Sequence, residues 1–387
     1  MKNVILRGPV LTQSGYGVHC RQVARWLLNR QDVSLKIIAT PWGDTPWIVD
    51  SMSCGGLIGE IMKRTSPQIE VGDISFQLQL PNEWDTRLAR FNVGLTAGVE
   101  TDKCNPEWIN SINQMNMIIV PSQHVKMTFL STGNVNVPIH VVPEAFIDEC
   151  LLDNDSLPKI QEFSTSFNFL IFGQITGNNP FNDRKNMYLT VKWLSEVFKS
   201  DPDVGIVIKT NVGRNSKKDC ETTTNTFRQL AHEARQGSPG PKIHLLHGEM
   251  SDKDVAALYR HPQMKALVTL TRGEGFGLPI LEASASGLPV IATGWSGHLD
   301  FLNQGKFINV FYSLMDIHKT RVDNKIFVQG SRWAESQEDD FKKKVLKFRN
   351  NNAIPKQWAT ELQNKLQKTH NFEEISKLYD QITKEVF

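Results

Sequence analysis

Several features that would assign this chain to a membrane, to the secretory route or to nucleic acid are missing from its sequence. No apolar stretch approaches the roughly 20 residues that a membrane-spanning helix needs. The short apolar run before Gly8-Pro9 is too short for the apolar core of a signal peptide. The 43 basic and 41 acidic side chains nearly balance, so net charge gives no general attraction to nucleic acid or to a lipid surface.

Cysteine is scarce and irregularly placed. The chain has 5 cysteines, an odd number, at Cys20, Cys54, Cys104, Cys150 and Cys220, without a C-x-x-C pair. This pattern excludes a disulfide framework and a zinc site, and it fits a reducing compartment. Because 387 residues exceed what one hydrophobic core usually holds, we expect two domains of similar size. The missing features described above predict a soluble, cytoplasmic protein, and we expect neither a metal nor a cofactor.

Residues 266–300 are the most informative stretch. An apolar run at 266–270 predicts a buried strand, and the loop 271–277 has glycine at Gly273, Gly275 and Gly277. Pro279 suits the first turn of a helix, Gly287 suits its end, and 288–292 predicts a second strand. Strand, glycine loop, helix and strand together are typical of a nucleotide-binding α/β layer. The glycines do not spell the dinucleotide fingerprint G-x-G-x-x-G, which disfavours NAD binding.

The same loop has the chemistry to hold a sugar nucleotide. Glycine lets the backbone approach a ligand closely, so the N–H groups of Phe276, Gly277 and Leu278 can point at an anion near the helix start. Glu274 in the loop and Glu282 in the helix carry carboxylates that can accept paired hydrogen bonds from neighbouring hydroxyl groups. An anion site between two hydroxyl-binding acids predicts a nucleoside diphosphate sugar as the ligand.

Glu274-x(7)-Glu282, within the string GEGFGLPILEASASGLPVIAT, resembles the Glu-x(7)-Glu signature of retaining GT-B glycosyltransferases of the large "glycosyl transferases group 1" family. The resemblance implies an α/β fold of two Rossmann-like domains facing each other across a cleft. It implies an acceptor-binding domain at 1–157, a donor domain at 158–370 and a C-terminal helix at 371–387 that crosses back to the first domain. In that family the first glutamate contacts the donor sugar and the second binds the ribose.

Further candidates for donor binding lie in the second half of the chain. The basic pair Arg184-Lys185 falls at a predicted strand-to-helix junction, where positive charge and helix N–H groups suit a diphosphate. The family has an arginine early in this loop and a lysine at its end. Lys185 matches the lysine. The arginine is either replaced by Gln174 or displaced by an insertion, and Arg184 is a candidate to supply that charge. The resemblance also makes the segment around His247, Gly248 and Met250 a candidate base pocket.

In the first half, Gly15, Tyr16 and Gly17 follow the first predicted strand. They either contact a ligand phosphate or form a tight β–α turn. Many relatives place a histidine after the middle strand of this domain, but this chain has Glu100 in that region, which makes Glu100 the candidate polar group near the acceptor. Residues 40–75 contain two tryptophans and many turn formers, and they predict either an acceptor-binding insertion or an ordinary packed loop.

These observations predict a metal-independent, retaining hexosyltransferase. It would move a sugar from a UDP-sugar or GDP-sugar to a hydroxyl acceptor, with Glu274, Lys185, Arg184 and Glu100 as candidate catalytic groups. The acceptor stays open between a glycan, a lipid, a small molecule and a modified nucleic acid. Two alternatives remain, a non-catalytic nucleotide-sugar-binding module and an enzyme of the same fold that glycosylates a hydroxymethylated base. Residues 1–150 contain 12 basic and 14 acidic side chains, which disfavours the nucleic-acid substrate.

Overall fold

The structure is a computed structural model that describes residues 1–66, 70–211, 213 and 215–387. Contacts divide the chain into two units. The first unit contains Met1–Ala145, Asn324–Val328 and Phe372–Phe387, and the second contains Phe146–Asp323 and Gln329–Asn371. The chain therefore leaves the first unit at Ala145, earlier than the boundary predicted at 157. Residues 67–69 of the predicted irregular stretch lie outside the described residues.

The first unit is built on a parallel six-stranded sheet with the strand order β2-β1-β3-β4-β5-β6. Its strands are rich in buried aliphatic residues, as expected when helices cover both faces of a parallel sheet. The elements in chain order are β1 (Lys2–Gly8), α1 (Gly15–Leu28), β2 (Val33–Ala39), α2 (Leu57–Arg64), β3 (Gly72–Leu78), β4 (Ala89–Leu95), α3 (Pro106–Ile112), β5 (Met117–Val120), α4 (Gln123–Thr132) and β6 (Ile139–Val141).

The second unit repeats this arrangement with the order β12-β11-β10-β7-β8-β9, again all parallel, and adds an antiparallel hairpin of β13 and β14. Its elements are β7 (Phe167–Phe172), α5 (Met187–Val197), β8 (Val204–Thr210), α6 (Lys217–Arg235), β9 (Lys242–His247), α7 (Asp252–Tyr259), β10 (Met264–Thr269), α8 (Leu278–Ala285), β11 (Val290–Thr293), α9 (Leu299–Leu302), β12 (Ile308–Val310), β13 (Tyr312–Asp316), β14 (Arg332–Ser336), α10 (Glu338–Asn350) and α11 (Ala353–Thr369). The predicted fold class of two Rossmann-like α/β domains is thus confirmed.

The last helix, α12 (Phe372–Thr383), packs on the core of the first unit. The ring of Tyr379 stacks on Trp26 at a centroid distance of 4.9 Å, and the indole N–H of Trp26 donates to Asp380 at 2.9 Å. The Tyr379 hydroxyl lies 3.0 Å from Nε2 of His19, and burial lowers the pKa of His19 to about 3. A neutral, buried imidazole is therefore part of the contact that joins the two ends of the chain.

Some predicted elements differ from those observed. The sequence of residues 325–333 also predicts a short strand, but β14 begins only at Arg332. The backbone carbonyls of Asn324 and Lys325 instead accept hydrogen bonds from the side chain of Asn105. Helices α2, α3, α4, α9 and α11 were not predicted. Four of them have ten residues or fewer, and α11 buries only three of its 17 residues. Among the described residues, no helix is both long and apolar enough to cross a membrane.

The first turn of α1 contains two glycines whose surroundings differ. A Cβ at Gly17 would lie 2.1 Å from the carbonyl oxygen of Thr12, whereas a Cβ at Gly15 would meet nothing within 4 Å. Gly17→Ala should therefore lower the free energy of unfolding of the first unit by about 1–3 kcal/mol or more, because the backbone must move to admit the methyl group. Gly15→Ala is the matched control, and it should change stability by at most about 1 kcal/mol.

Thermal denaturation of the two variants beside the wild type measures this difference. Equal melting temperatures for Gly17→Ala and Gly15→Ala would show that the turn does not require the close approach seen in the structure.

Candidate functional site

The cations predicted from the sequence meet the first acid of the glutamate pair at the carboxyl edge of the second unit's sheet. Nζ of Lys185 lies 2.6 Å from Oε1 of Glu274, and Nη1 of Arg184 lies 3.3 Å from Oε2. Arg184 also donates to the carbonyl of Gly273 at 2.8 Å. The loops after β7 and β10, which are neighbouring strands, bring these groups together. We call Arg184, Lys185 and Glu274 the charged cluster.

The electrostatics of the charged cluster favour a further anion. Burial alone would raise the pKa of Glu274, but the charges of Lys185 and Arg184 outweigh it and lower this pKa to about 2. The carboxylate is therefore ionised at neutral pH. One negative and two positive charges leave the cluster with a net positive charge, which a phosphate or a diphosphate can neutralise through charge-assisted hydrogen bonds.

The loop that carries Glu274 is fixed by the residues that follow β11. The N–H of Glu274 donates to Oγ of Ser296 at 2.8 Å, and the N–H of Gly297 donates to the carbonyl of Glu274 at 2.9 Å. No residue larger than glycine fits at position 297, because a Cβ there would lie 2.1 Å from the carbonyl oxygen of Gly275. His298 is buried and its Nε2 lies 2.8 Å from the carbonyl of Thr293. Sequence reasoning missed these positioning residues, although small residues directly after a strand were a signal.

The buried side chain of Arg272, which was not predicted from the sequence, fixes the loop that carries Arg184 and Lys185. Nη1 of Arg272 donates to the carbonyls of Pro180 and Asp183 at 2.8 and 2.7 Å, and its Nε donates to Glu335 at 2.7 Å. The N–H of Arg272 donates to the carbonyl of Arg184 at 2.8 Å. A fully buried guanidinium that bonds backbone carbonyls connects two loops rigidly. Its signal in the sequence was a basic residue directly after an apolar strand.

The start of α5 is held by Asp183, whose carboxylate accepts from the N–H and hydroxyl of Thr176, both at 2.8 Å, and from the N–H of Met187 at 2.7 Å. The aliphatic part of Lys185 lies over Gly173, where a Cβ would meet it at 3.7 Å. The side chain of Gln174 is exposed. The structure thus brings Lys185 and Arg184, rather than Gln174, to Glu274.

Glu282 lies on α8 in a different environment. It is buried, and the hydroxyl of Tyr259 donates to its Oε2 at 3.3 Å. Burial, with the nearby charges of Asp252 and Glu149, raises the pKa of Glu282 to about 8 despite the hydrogen bond from Tyr259. The carboxyl group is therefore mainly protonated at pH 7, and it can both donate and accept a hydrogen bond.

The helix α8 begins where the glycine loop ends. Gly277 caps it with a φ of 102°, a backbone conformation that glycine adopts readily, and Leu278 is the first helical residue. Phe276 is buried and packs edge-on against Phe301 at a centroid distance of 5.3 Å. The side chains of Phe276 and Leu278 are thus buried in the core, and the role of their backbone N–H groups in anion binding stays a prediction.

The candidate base-pocket residues lie at the end of β9, at the same edge of the sheet. Two strand spacings separate β9 from β7 and three separate it from β10, about 10 and 14 Å, and the loops after β7 and β10 carry the charged cluster. Nζ of Lys209 donates to the carbonyl of Gly248 at 2.5 Å, and burial lowers the pKa of Lys209 to about 8. Nε2 of His247 is buried without a hydrogen-bond partner among the described residues, and Met250 is half-buried.

The first-unit candidates form a separate group. Gly15 and Gly17 lie in the first turn of α1, where Ser14 caps the helix by accepting the N–H of Gly17 at 3.0 Å. The hydroxyl of Tyr16 lies 3.0 Å from Oγ1 of Thr96 and accepts the N–H of Ala97 at 3.1 Å. Glu100 is half-buried in the loop after β4, and its charge helps burial to raise the pKa of Tyr16. The structure thus brings Tyr16 to the loop that carries Glu100.

Comparisons with known proteins agree with this architecture. Residues 181–365 match the family described as "Glycosyl transferases group 1". The glycosyltransferase from Rickettsia africae ESF-5 superposes with a TM-score of 0.62 at 15% identity, covering 100% of this chain and 98% of that one. The sucrose-phosphate synthase (tll1590) from Thermosynechococcus elongatus gives a TM-score of 0.61 at 10% identity, covering 100% and 99%.

The pneumococcal O-GlcNAc transferase GtfA, solved in complex with UDP and GlcNAc, gives a TM-score of 0.51 at 15% identity and covers 81% of this chain. This chain spans 56% of the length of that protein. No curated protein sequence matches the chain. At these identities the structural neighbours establish the GT-B fold, and the family match covers the segment that contains the charged cluster and Glu282.

The opposite pKa shifts of Glu274 and Glu282 predict opposite effects on stability. The folded-state pKa of Glu282 lies above the ordinary value of 4.5. Between pH 4.5 and 8 the group is ionised in the unfolded state but stays protonated in the folded state, so the free energy of unfolding falls as the pH rises through this range and stays low above it. Glu282→Gln should therefore raise the free energy of unfolding at pH 8.5 by on the order of a few kcal/mol, with little effect near pH 5.

For Glu274 the folded-state pKa is depressed, so its stabilisation is present above pH 4.5 and is lost as the pH falls towards 2. Glu274→Gln should therefore destabilise the protein at pH 7, because it leaves two cations without their carboxylate. Melting temperatures of both variants and the wild type at pH 5, 7 and 8.5 measure these effects. A Glu282→Gln stabilisation that does not depend on pH would contradict the assignment.

Proposed function

We propose that this chain, whose residues 181–365 match the glycosyl transferases group 1 family, transfers a sugar from a nucleoside diphosphate sugar to a hydroxyl acceptor. The observation that carries the proposal is the charged cluster, in which Lys185 and Arg184 surround Glu274 at 2.6 and 3.3 Å. Arg184 and Lys185 lie between β7 and the start of α5, and Glu274 lies in the loop between β10 and the start of α8. Positive charge near the starts of two helices suits a diphosphate.

The reaction needs a group that stabilises the departing diphosphate. The bond between the anomeric carbon and the diphosphate oxygen breaks, and a bond to the acceptor oxygen forms, while the acceptor proton passes to the leaving phosphate. Negative charge grows on the diphosphate as this happens. In this proposal Lys185, Arg184 and the N–H groups that begin α8 stabilise it, and loss of one such group typically costs on the order of 10²–10³ in rate.

The two glutamates have different roles in this proposal. Glu274, ionised and fixed by Ser296 and Gly297, contacts the donor sugar beside the departing group. Glu282, protonated and buried, exchanges hydrogen bonds with the ribose hydroxyls of uridine or guanosine. Retention of the anomeric configuration is supported by the resemblance of Glu274-x(7)-Glu282 to retaining enzymes. Independence from metal is supported by the two cations, which supply the charge that a divalent ion supplies elsewhere.

The proposal predicts that Lys185 acts mainly on the chemical step. Lys185→Ala should lower kcat by about 10²–10³ with a smaller change in nucleotide affinity, since the charge it stabilises is largest in the transition state. Lys192→Ala is the matched control and should retain wild-type activity, because Lys192 lies on α5 outside the charged cluster and pairs with Glu196 at 3.5 Å.

Glu282→Ala should weaken nucleotide binding, because it removes the proposed ribose contact. The measurements are thermal shifts with UDP, GDP and ADP and their sugars, followed by kcat and KM for the active donor with and without EDTA. Wild-type kcat in Lys185→Ala would remove the assignment of this cation. Full nucleotide binding without sugar transfer or donor hydrolysis would favour a non-catalytic binding module.

A further inference from the structure

We propose that the first unit binds a saccharide as the acceptor, against an aromatic platform formed by Trp42 and Tyr16. This inference rests on the proposed function, because it names the class of acceptor that receives the sugar. The rings of Tyr16 and Trp42 stack with a centroid distance of 3.8 Å and an interplanar angle of 17°. We call this pair the aromatic platform.

The platform is held firmly at the carboxyl edge of the first unit's sheet. Tyr16 is fixed from the β4 side, since its hydroxyl bonds Thr96 and the N–H of Ala97. Trp42 follows β2, and its carbonyl accepts the hydroxyl of Thr45 at 2.7 Å. One face of Trp42 is covered by Tyr16, and the indole remains partly exposed. A flat, partly exposed aromatic ring in a fixed position offers a stacking surface to a ligand.

The segment that carries Trp42 is tied to the loop after β1 by backbone hydrogen bonds. The N–H of Gln13 donates to the carbonyl of Pro46 at 2.9 Å, and the N–H of Ile48 donates to the carbonyl of Leu11 at 2.7 Å. This part of the predicted irregular stretch is therefore ordered by specific contacts at the sheet edge where ligands of α/β units bind.

Two buried polar atoms at the same edge lack partners. Oγ1 of Thr40 and Oε1 of Gln79 have no hydrogen bond to any described residue, and Gln79 is only 5% exposed. Thr40 follows β2 and Gln79 follows β3, on the two sides of β1, so about 10 Å separates them. Leaving a buried polar group unpaired is unfavourable, and a ligand with several hydroxyl groups would satisfy both atoms.

A saccharide fits this combination better than the other acceptor classes. A pyranose ring has an apolar face of C–H groups, which stacks on an aromatic ring, and a rim of hydroxyl groups that pair with polar side chains. A lipid chain would leave Thr40 and Gln79 unpaired. The loops after β2 and β4 carry Asp44, Asp50 and Glu100, whose charges would repel the phosphates of a nucleic acid.

The test compares acceptors of three classes in reactions with the active nucleotide sugar. They are a panel of mono- and disaccharides, an isoprenyl phosphate in detergent micelles, and oligonucleotides that contain 5-hydroxymethylcytosine. Mass spectrometry of the products should show transfer to a saccharide. Transfer to the lipid or to the oligonucleotide in preference to every saccharide would overturn the proposal.

Two variants test whether the saccharide binds at the aromatic platform. Trp42→Ala and Gln79→Leu should each raise the acceptor KM by about tenfold, with unchanged thermal shifts by the nucleotide. Gln79→Leu should also keep the wild-type melting temperature, because the amide oxygen that it removes has no partner among the described residues. The acceptor KM of Gln79→Leu therefore tests the site even if Trp42→Ala folds poorly.

Trp47→Ala is the matched control on the same segment, since Trp47 is 43% exposed and does not belong to the aromatic platform. Its acceptor KM should stay close to the wild-type value. Unchanged KM in Gln79→Leu and in folded Trp42→Ala would overturn the saccharide site. If none of UDP, GDP and ADP raises the wild-type melting temperature, the proposed function itself fails, whereas hydrolysis of the donor or transfer to another acceptor, without transfer to any saccharide, overturns the acceptor proposal alone.

Discussion

The ion pairs that Glu274 forms with Lys185 and Arg184 determine how the loops are arranged at the carboxyl edge of the second unit's sheet. A buried carboxylate is stable only when opposite charges lie beside it, so the loops after β7 and β10 must converge wherever Glu274 is ionised. Arg272 fixes the loop of Arg184 through backbone carbonyls, and Ser296 and Gly297 fix the backbone of Glu274. The result is a preorganised site with a surplus positive charge, which needs little rearrangement to receive an anion.

The two glutamates show how one residue type acquires two chemical states within one site. Glu274 has two cationic partners and a pKa of about 2, whereas Glu282, buried near Asp252 and Glu149, has a pKa of about 8. The ionised acid lies in the loop before α8 and the protonated acid lies in α8, so the two can bind different parts of one ligand. The first suits the reacting sugar beside the departing diphosphate, and the second suits the neutral hydroxyl groups of a ribose.

Much of this architecture could be predicted from the sequence, because it follows from local patterns. The apolar run at 167–172 predicts a buried strand, and β7 has these bounds. The basic pair and the glycine loop each follow a predicted strand, and Lys185 and Glu274 meet at one sheet edge. The roles of Ser296 and Arg272 depend on contacts between distant loops, which no local pattern encodes. The strand predicted at 325–333 is absent over its first part, because residues 325–328 belong to the first unit whereas the rest of the segment belongs to the second.

A crystal structure of the protein with bound UDP or GDP tests the central claim most directly. The account predicts that the diphosphate lies at the charged cluster, with its oxygens within about 3 Å of Lys185 Nζ and of the N–H groups at the start of α8, and with the ribose hydroxyls at Glu282. A nucleotide bound elsewhere, with Lys185 still paired to Glu274 and Glu282 in contact with protein side chains alone, would contradict it.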